Sequence, residues 1–331
     1  ISCKSSKNIL NEALASPNEK IQKVMQSPKE YELQIIYTKI NRNKNNVVTF
    51  EDYTYNLDAN NYFYPASTVK FPIALMALEK LNTLPGASME NTFEIDGNPA
   101  KYKFTEEITK VFAVSGNEAS NHLFELIGFD YLNEGMAAKG LSPFRISHRI
   151  SVPDSGNPLV RKVTITKQDG TQVSTDEKMN SISKPIAINN VKKGKGYYKE
   201  DVLINEPFDF SQKNYYPLAT LHNTMKRIVF PDSFKESERF NLTKEQRDFV
   251  LFSMSNLPKN AGYDPKEYYD GYCKFFMFGD TKENIPSNIK IYNKVGDAYG
   301  TLIDCAYIVD EVNNVEFMVS ATLLVNKDGI F

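Results

Sequence analysis

The sequence predicts an α/β (α+β) protein in which an antiparallel sheet is built from both chain termini and a mainly helical domain emerges between them. β-rich runs lie near the start (residues 32–41 and 46–55) and near the end (289–295, 301–309 and 315–325), while the middle carries apolar residues at helical spacing. Strands that enclose a helical middle close most simply into one sheet. The expected division is residues 1–60 with 287–331 for the discontinuous sheet domain and 61–286 for the helical domain. A polar inserted excursion is expected at about 160–215.

Each element has its own warrant. Residues 8–25 place Ile9, Leu10, Leu14, Ile21, Val24 and Met25 at helical intervals and predict a surface helix on the sheet, interrupted near Pro17. Leu33, Ile35, Ile36, Tyr37 and Ile40, then Val47, Val48, Phe50 and Tyr53, flank the turn-forming residues 41–45 and predict a hairpin. Residues 71–81 are nearly all apolar and lack glycine, as suits a helix buried on most sides. Two further helices are expected at 105–114 and 118–127, separated by Ser115-Gly116-Asn117 and ended by Gly128. In the excursion, 162–166 and 172–174 flank Asp169-Gly170, a type I′ hairpin signal. Helical spacing returns at 218–230 and 243–254, the latter with Thr243 as N-cap. The last two strands are separated by a turn at Asn313-Asn314.

Composition narrows the function. The 331 residues are 41% hydrophobic and 24% charged, a globular balance. With 39 basic and 41 acidic residues the net charge is −2, and no basic patch of the kind a phosphate backbone requires stands out, so nucleic acid is not the expected partner. The longest apolar run, 71–78, is far short of the roughly 20 residues that span a bilayer. His122, His148 and His222 lie on unrelated segments and none of the three cysteines has a metal-ligand spacing, so no metal or other cofactor is expected. Cys273 and Cys305 read as buried free thiols, with pairing in an oxidising compartment the other reading. Ile1-Ser2-Cys3-Lys4 reads either as the end of a bacterial lipoprotein signal, with Cys3 the lipid-bearing residue, or as an ordinary N-terminus with a free thiol.

The chemistry rests on three short motifs. Serine and lysine at i and i+3 of a helix share one face, which brings an amine within reach of a hydroxyl proton. Three such pairs occur: Ser67–Lys70, Ser181–Lys184 and Ser287–Lys290. The second runs into Pro185 and the third into a strand, where i and i+3 face opposite ways, so Ser67 at the start of a buried helix is the candidate. There its own N–H is a free helix-start donor for an oxyanion. The bland alternative makes Ser67 an N-cap and Lys70 a surface charge. Ser115-Gly116-Asn117 and Lys294-Val295-Gly296 taken alone are a turn and a strand lysine.

In this order the three elements resemble the signature of penicillin-recognising serine enzymes, class A β-lactamases and D,D-peptidases among them. Tyr299-Gly300-Thr301 and Asp304 fit the strand-to-strand passage of that family. The resemblance implies that Ser67 attacks the carbonyl, Lys70 takes its proton and Ser115 relays a proton to the departing nitrogen. It further implies that Lys294 keeps the site electropositive and attracts a substrate carboxylate, that Asn117 binds the substrate's side-chain amide, and that Gly296 and Asp297 supply the strand side of the oxyanion hole through the Asp297 N–H. The implied substrate is a β-lactam, with antibiotic resistance as the consequence, or a cell-wall peptide cleaved by a D,D-peptidase or amidase. A slowly acylated penicillin-binding protein or a lipid-anchored noncatalytic sensor is the reading from another class. The implied location is exported, periplasmic or lipid-anchored, and a monomer is expected.

Three departures stand out. Gly116 occupies the place of the family's aspartate and Val295 that of a hydroxyl residue. No counterpart of the Glu-x-x-Leu-Asn loop is found; Asp154, in 149–157, is the candidate deacylation base, its alternative a solvated loop residue, with Glu200, Glu206 and Asp209 weaker. The aromatic run Tyr263, Tyr268, Tyr269, Tyr272, Phe275, Phe276 is expected to pack between sheet and helical domain rather than rim a cleft, the 192–195 lysines to form a solvated loop, and His148 to be structural.

Overall fold

The computed structural model describes residues 8–331; Cys3 lies outside the described residues. Two short helices open the chain, α1 (Ile9–Leu14) and α2 (Glu19–Gln26), capped by Asn8 and Asn18 and separated at Pro17. Leu10 of α1 packs with Leu33 and Ile35, on the outer face of the sheet, beside Leu14, Val24 and Met25. The hairpin follows as β1 (Gln34–Arg42) and β2 (Val48–Tyr55), with Tyr37 opposite Tyr53.

Helix α3 (Lys70–Leu81) is preceded by a 3-10 turn, Ala66–Val69. Residues 70–78 are all buried, as the apolar run requires; burying each Leu, Ile, Phe or Met side chain contributes roughly 1.5–3 kcal/mol. Strands β3 (Thr92–Ile95) and β4 (Lys101–Lys103) lead into α4 (Phe104–Ala113) and α5 (Asn117–Ala138). The expected helix end at Gly128 is a kink instead. Gly128 takes φ 69°, and the helix then restarts because Phe129, Leu132 and Met136 extend the buried stripe. Asn180 Oδ1 accepts from Asp130 N at 3.0 Å and so caps the second half.

The excursion divides in two. Its start forms β5 (Val163–Thr166) and β6 (Gln172–Ser174), which join the small sheet in the order β4-β3-β5-β6. The connection is not type I′: Gly170 has positive φ and Asp169 does not, and Lys167 N donates to Thr171 O across a longer loop. The later part bridges Asn61 through Asn189 and Ile330 through Gly196, and its aromatic residues Phe208, Phe210 and Tyr215 pack with Tyr62, Tyr64, Tyr299 and Phe331. Lys193, expected in a solvated loop, is buried and ion-paired with Glu32.

Helices α6 (Leu218–Val229) and α7 (Lys244–Ser255) come next, α7 with the expected Thr243 cap, which closes a capping box with Gln246. Strands β7 (Ile289–Ala298), β8 (Thr301–Asp310) and β9 (Val315–Leu324) complete an antiparallel sheet in the order β7-β8-β9-β1-β2. The β9–β1 pairing joins the two ends of the chain. The main core lies between this sheet and the helices α3, α4, α5 and α6.

One polar network runs from the buried His222 out to the exposed Asp52 where α6 crosses the sheet. His222 lies 2.7 Å from Thr38 Oγ1 of β1 and 2.7 Å from Ser320 Oγ of β9, and Asp52 of β2 accepts from Thr38 and from Lys226. Burial, then the neighbouring Lys226 charge, pushes the His222 pKa down to about 3. The folded-state value lies below the ordinary one near 6.5, so this stabilisation is complete above that pH and is lost as pH falls toward 3. Thermal denaturation followed between pH 7 and 4 is therefore expected to show a steeper loss of Tm in the wild type than in His222→Gln; parallel curves would contradict this account.

Candidate active site

The 3-10 turn at the head of α3 fixes the first pair. Side chains at i and i+3 of a 3-10 helix eclipse one another, which sets Ser67 and Lys70 on one face. Ala66, just before the serine, is held at φ 47°, a left-handed conformation that costs a non-glycine residue roughly 1–3 kcal/mol. Ser67 is half-buried and lines a cleft of about 1140 Å³. Lys70 is fully buried beneath it.

The junction of α4 and α5 supplies the second element. Ser115, at φ 56°, turns its carbonyl to Lys70 Nζ, which also donates to Asn117 Oδ1 at 2.5 Å and lies 3.4 Å from Ser115 Oγ. With an aspartate's side chain missing at Gly116, the loop is held by Gly116 N donating to Lys110 O at 3.0 Å and by these Lys70 contacts. Lys294 of β7 completes the group, donating to Ser115 Oγ at 2.7 Å and Val295 O at 2.9 Å. Burial, then the nearby Lys294 charge, brings the Lys70 pKa down to about 6, and burial lowers that of Lys294 to about 8. Near pH 7 this favours the neutral amine, which donates to the Ser115 carbonyl and Asn117 Oδ1 with Ser115 Oγ also in reach.

Gly296 lets β7 approach the serine turn. A Cβ there would sit 2.9 Å from Pro65 O and 3.2 Å from Ser67 N. The next residue, Asp297, lines the cleft. The strand is braced from below by buried polar groups. Asp304 of β8 accepts from Phe275 N, Phe276 N and Asn293 Nδ2 at 3.1, 3.2 and 2.8 Å, and Lys274 donates to Asn293 Oδ1 at 2.7 Å. This ties the segment around Cys273 and Phe275, which lines the cleft, to the sheet. Cys273 and Cys305 are free and buried.

A family model described as "Beta-lactamase enzyme family" matches residues 16–184. The chain belongs to the beta-lactamase enzyme family. It is therefore a β-lactamase-like serine hydrolase. Its fold is similar to that of a beta-lactamase from Sphaerobacter thermophilus (12% identity, TM-score 0.53, covering 92% of this chain and 88% of the other). It is similar also to a class A beta-lactamase from Bacteroides cellulosilyticus (11%, 0.53, 92% and 87%) and to a beta-lactamase from Francisella tularensis (14%, 0.52, 93% and 88%). No curated protein sequence matches the chain.

Against the family's pattern, the cleft brings together Ser67, Ser115, Asn117, Val295 and Asp297, while Lys70, Lys294 and Gly296 lie behind its wall. Asp154, the expected base, does not line the cleft; it is exposed in a turn at φ 51° whose carbonyl accepts from Asn157 N. Glu200, Glu206 and Asp209 are likewise exposed and away from it. Residues 148–155 contribute His148, Arg149, Ile150, Ser151, Val152 and Ser155 to the wall, none of them a carboxylate. Arg149 anchors this loop to Glu125 at 3.0 Å. The tyrosines expected as packing form a rim instead: Tyr263, Tyr268, Tyr269 and Tyr272 all line the cleft, whereas Phe276 packs against β7 and β8. His148 is buried against Tyr64, as a structural histidine would be, and borders the cleft. Lys213, in the polar excursion, carries no sequence motif and lines the cleft as well.

The two site glycines differ in kind. Gly116 has φ −55° and its nearest neighbours would stand 3.4 Å from an added Cβ, so Gly116→Ala is expected to change stability by less than about 1 kcal/mol. Gly296→Ala meets backbone at 2.9 Å and is expected to cost about 1–3 kcal/mol. Urea denaturation of both variants checks the contrast, and equal midpoints would refute it.

Proposed function

We propose that the protein opens the amide of β-lactams through an acyl-enzyme at Ser67. Neutral Lys70 takes the Ser67 proton as the oxygen attacks, and the carbonyl oxygen becomes negative between the N–H groups of Ser67 and Asp297. The Ser115 hydroxyl, held by Lys294, hands a proton to the departing nitrogen. Asn117 Oδ1 is engaged by Lys70, which leaves its Nδ2 for the substrate's amide carbonyl. The observation that carries this reading is the buried Lys70 amine, set on the same face as Ser67 by the 3-10 turn and bonded to the Ser115 carbonyl and Asn117 Oδ1. Export and attachment through Cys3 accompany it, on the strength of Ile1-Ser2-Cys3-Lys4, and palmitate labelling lost in Cys3→Ala would support the lipid.

One observation favours a second reading. Residues 148–155 place no carboxylate in the wall, whose acids are Glu118 and Asp297; on this second reading acylation outpaces deacylation, and the protein is a D,D-peptidase or a slowly turning penicillin-binding protein.

Intact mass followed over time with a penicillin and a cephalosporin separates these. An adduct absent in Ser67→Ala that decays as hydrolysed drug accumulates supports the first reading, and one that persists supports the second. No adduct in the wild type overturns both. The acylation rate is expected to rise through pH 6 as Lys70 loses its proton and to fall above pH 8 as Lys294 does. Lys294→Ala removes a charge that lowers the Lys70 pKa, so its acidic limb is expected to move upward; an unmoved limb would refute the coupling.

A further inference from the structure

The cations around the cleft are already committed, with one exception among the described residues. Lys294 and Lys70 are buried and bonded to Ser115. Lys110 is paired with Glu107 at 2.7 Å, and Arg149 is held by Glu125 and two backbone carbonyls. Arg145, behind this end of the cleft, donates to the carbonyls of Lys184, Ser211 and Lys213. Lys213 makes no hydrogen bond or ion pair through its side chain, which lies over the Phe208 ring at 5.7 Å from its centroid and borders the cleft half-buried. Burial lowers its pKa, as expected of an ammonium that lacks a counter-charge.

Its position says which part of a substrate it would meet. Ser115, which hands the proton to the departing nitrogen, lies at the end of α4, and α4 packs against the Pro258–Ala261 turn that leads to Tyr263, so the tyrosine rim lies on the side where the nitrogen departs. Phe208 stacks on Tyr299, just past Asp297, and Tyr299 is edge-on to Tyr64, which stacks on His148. Lys213 therefore stands at the other end, where the acyl portion lies.

We propose that Lys213 is the anchor for an anionic group on the acyl side of the substrate, so that the preferred acyl donors carry a carboxylate there, flanked by the aromatic wall of Tyr64 and Tyr299. This rests on the acyl-enzyme reading above and adds a substrate class to it. The pairing would be partly desolvated and seated against aromatic faces, where an ion pair counts for more than it does in open water.

Carbenicillin and benzylpenicillin differ by one carboxylate on the acyl side chain and give the test. The ratio of their Ser67 acylation rate constants is expected to fall at least tenfold in Lys213→Met and to survive largely in Lys213→Arg; taking a ratio cancels any general loss in the variant. A ratio within twofold of wild type in Lys213→Met overturns the proposal. A second arm does not need acylation. In Ser67→Ala, phenylmalonamate is expected to bind at least tenfold tighter than phenylacetamide by calorimetry, an advantage lost in Ser67→Ala/Lys213→Met; equal binding of the two overturns it. If neither penicillin acylates the wild type, the proposed function fails while this second arm still decides the role of Lys213.

Discussion

Two amines buried on one hydroxyl hold the site together. Lys70 and Lys294 reach Ser115 from different elements, the head of α3 and the edge strand β7, and neither is exposed to water. Two charged ammonium groups in one dry pocket repel, and burial opposes both charges, so the pair settles with Lys70 neutral and Lys294 charged near pH 7. The same constraint dictates much of the surrounding backbone. Ser115 takes a left-handed conformation to turn its carbonyl to Lys70, and Ala66 takes another to present the serine. Strained residues persist only where packing over-determines them, and here that packing is the buried run 70–78 of α3.

The departures from the family's pattern have local compensations. An aspartate between Ser115 and Asn117 would bring its own hydrogen bonds, yet the loop with Gly116 is fixed from the other side, by the Lys110 carbonyl and by the Lys70 amine. Val295 is buried and offers no hydroxyl, while Lys294 directs two of its donors to Ser115 Oγ and Val295 O. Both lysines of the floor are therefore buried and bonded within the protein, and the cation that borders the cleft without a bonded partner comes from the excursion. Beneath the site, Asp304, Asn293 and Lys274 form a buried polar brace in which burial raises the Asp304 pKa to about 6 and lowers that of Lys274 to about 8. Removing any one of them would leave a buried polar group unmet.

The later part of the excursion shapes one end of the cleft. Its aromatic residues cluster with Tyr64, three residues before Ser67, and with Tyr299, two residues after Asp297. A polar-looking segment thereby packs beside both the turn that carries Ser67 and the strand that carries Asp297, the proposed oxyanion donors. Tyr299 takes a left-handed φ of 51° on the turn into β8, which directs the chain back along the sheet.

The sequence by itself determined the elements whose signals are local. Period-two apolar runs specified the strands at both ends, the unbroken apolar stretch specified α3, Thr243 marked the start of α7, and the family resemblance of the motifs at Ser67–Lys70, Ser115–Asn117 and Lys294–Gly296, taken in order, pointed to the candidate site. Features set by distant partners were beyond it. Gly128 looks like a helix stop, yet burial of Phe129, Leu132 and Met136 and a cap from Asn180 restart the helix. The 192–195 lysines look solvated, yet Lys193 meets Glu32 across the fold. Asp154 has the right residue type in the right stretch, but its turn leaves it in solvent. The tyrosines after α7 and Lys213 belong to no periodic pattern, and only the closing of the helical domain on β7 gathered them around Ser67. Local propensity acts over a few residues, whereas the cleft is made by segments from about 30 to more than 200 residues apart, and which side chains face it is decided by packing.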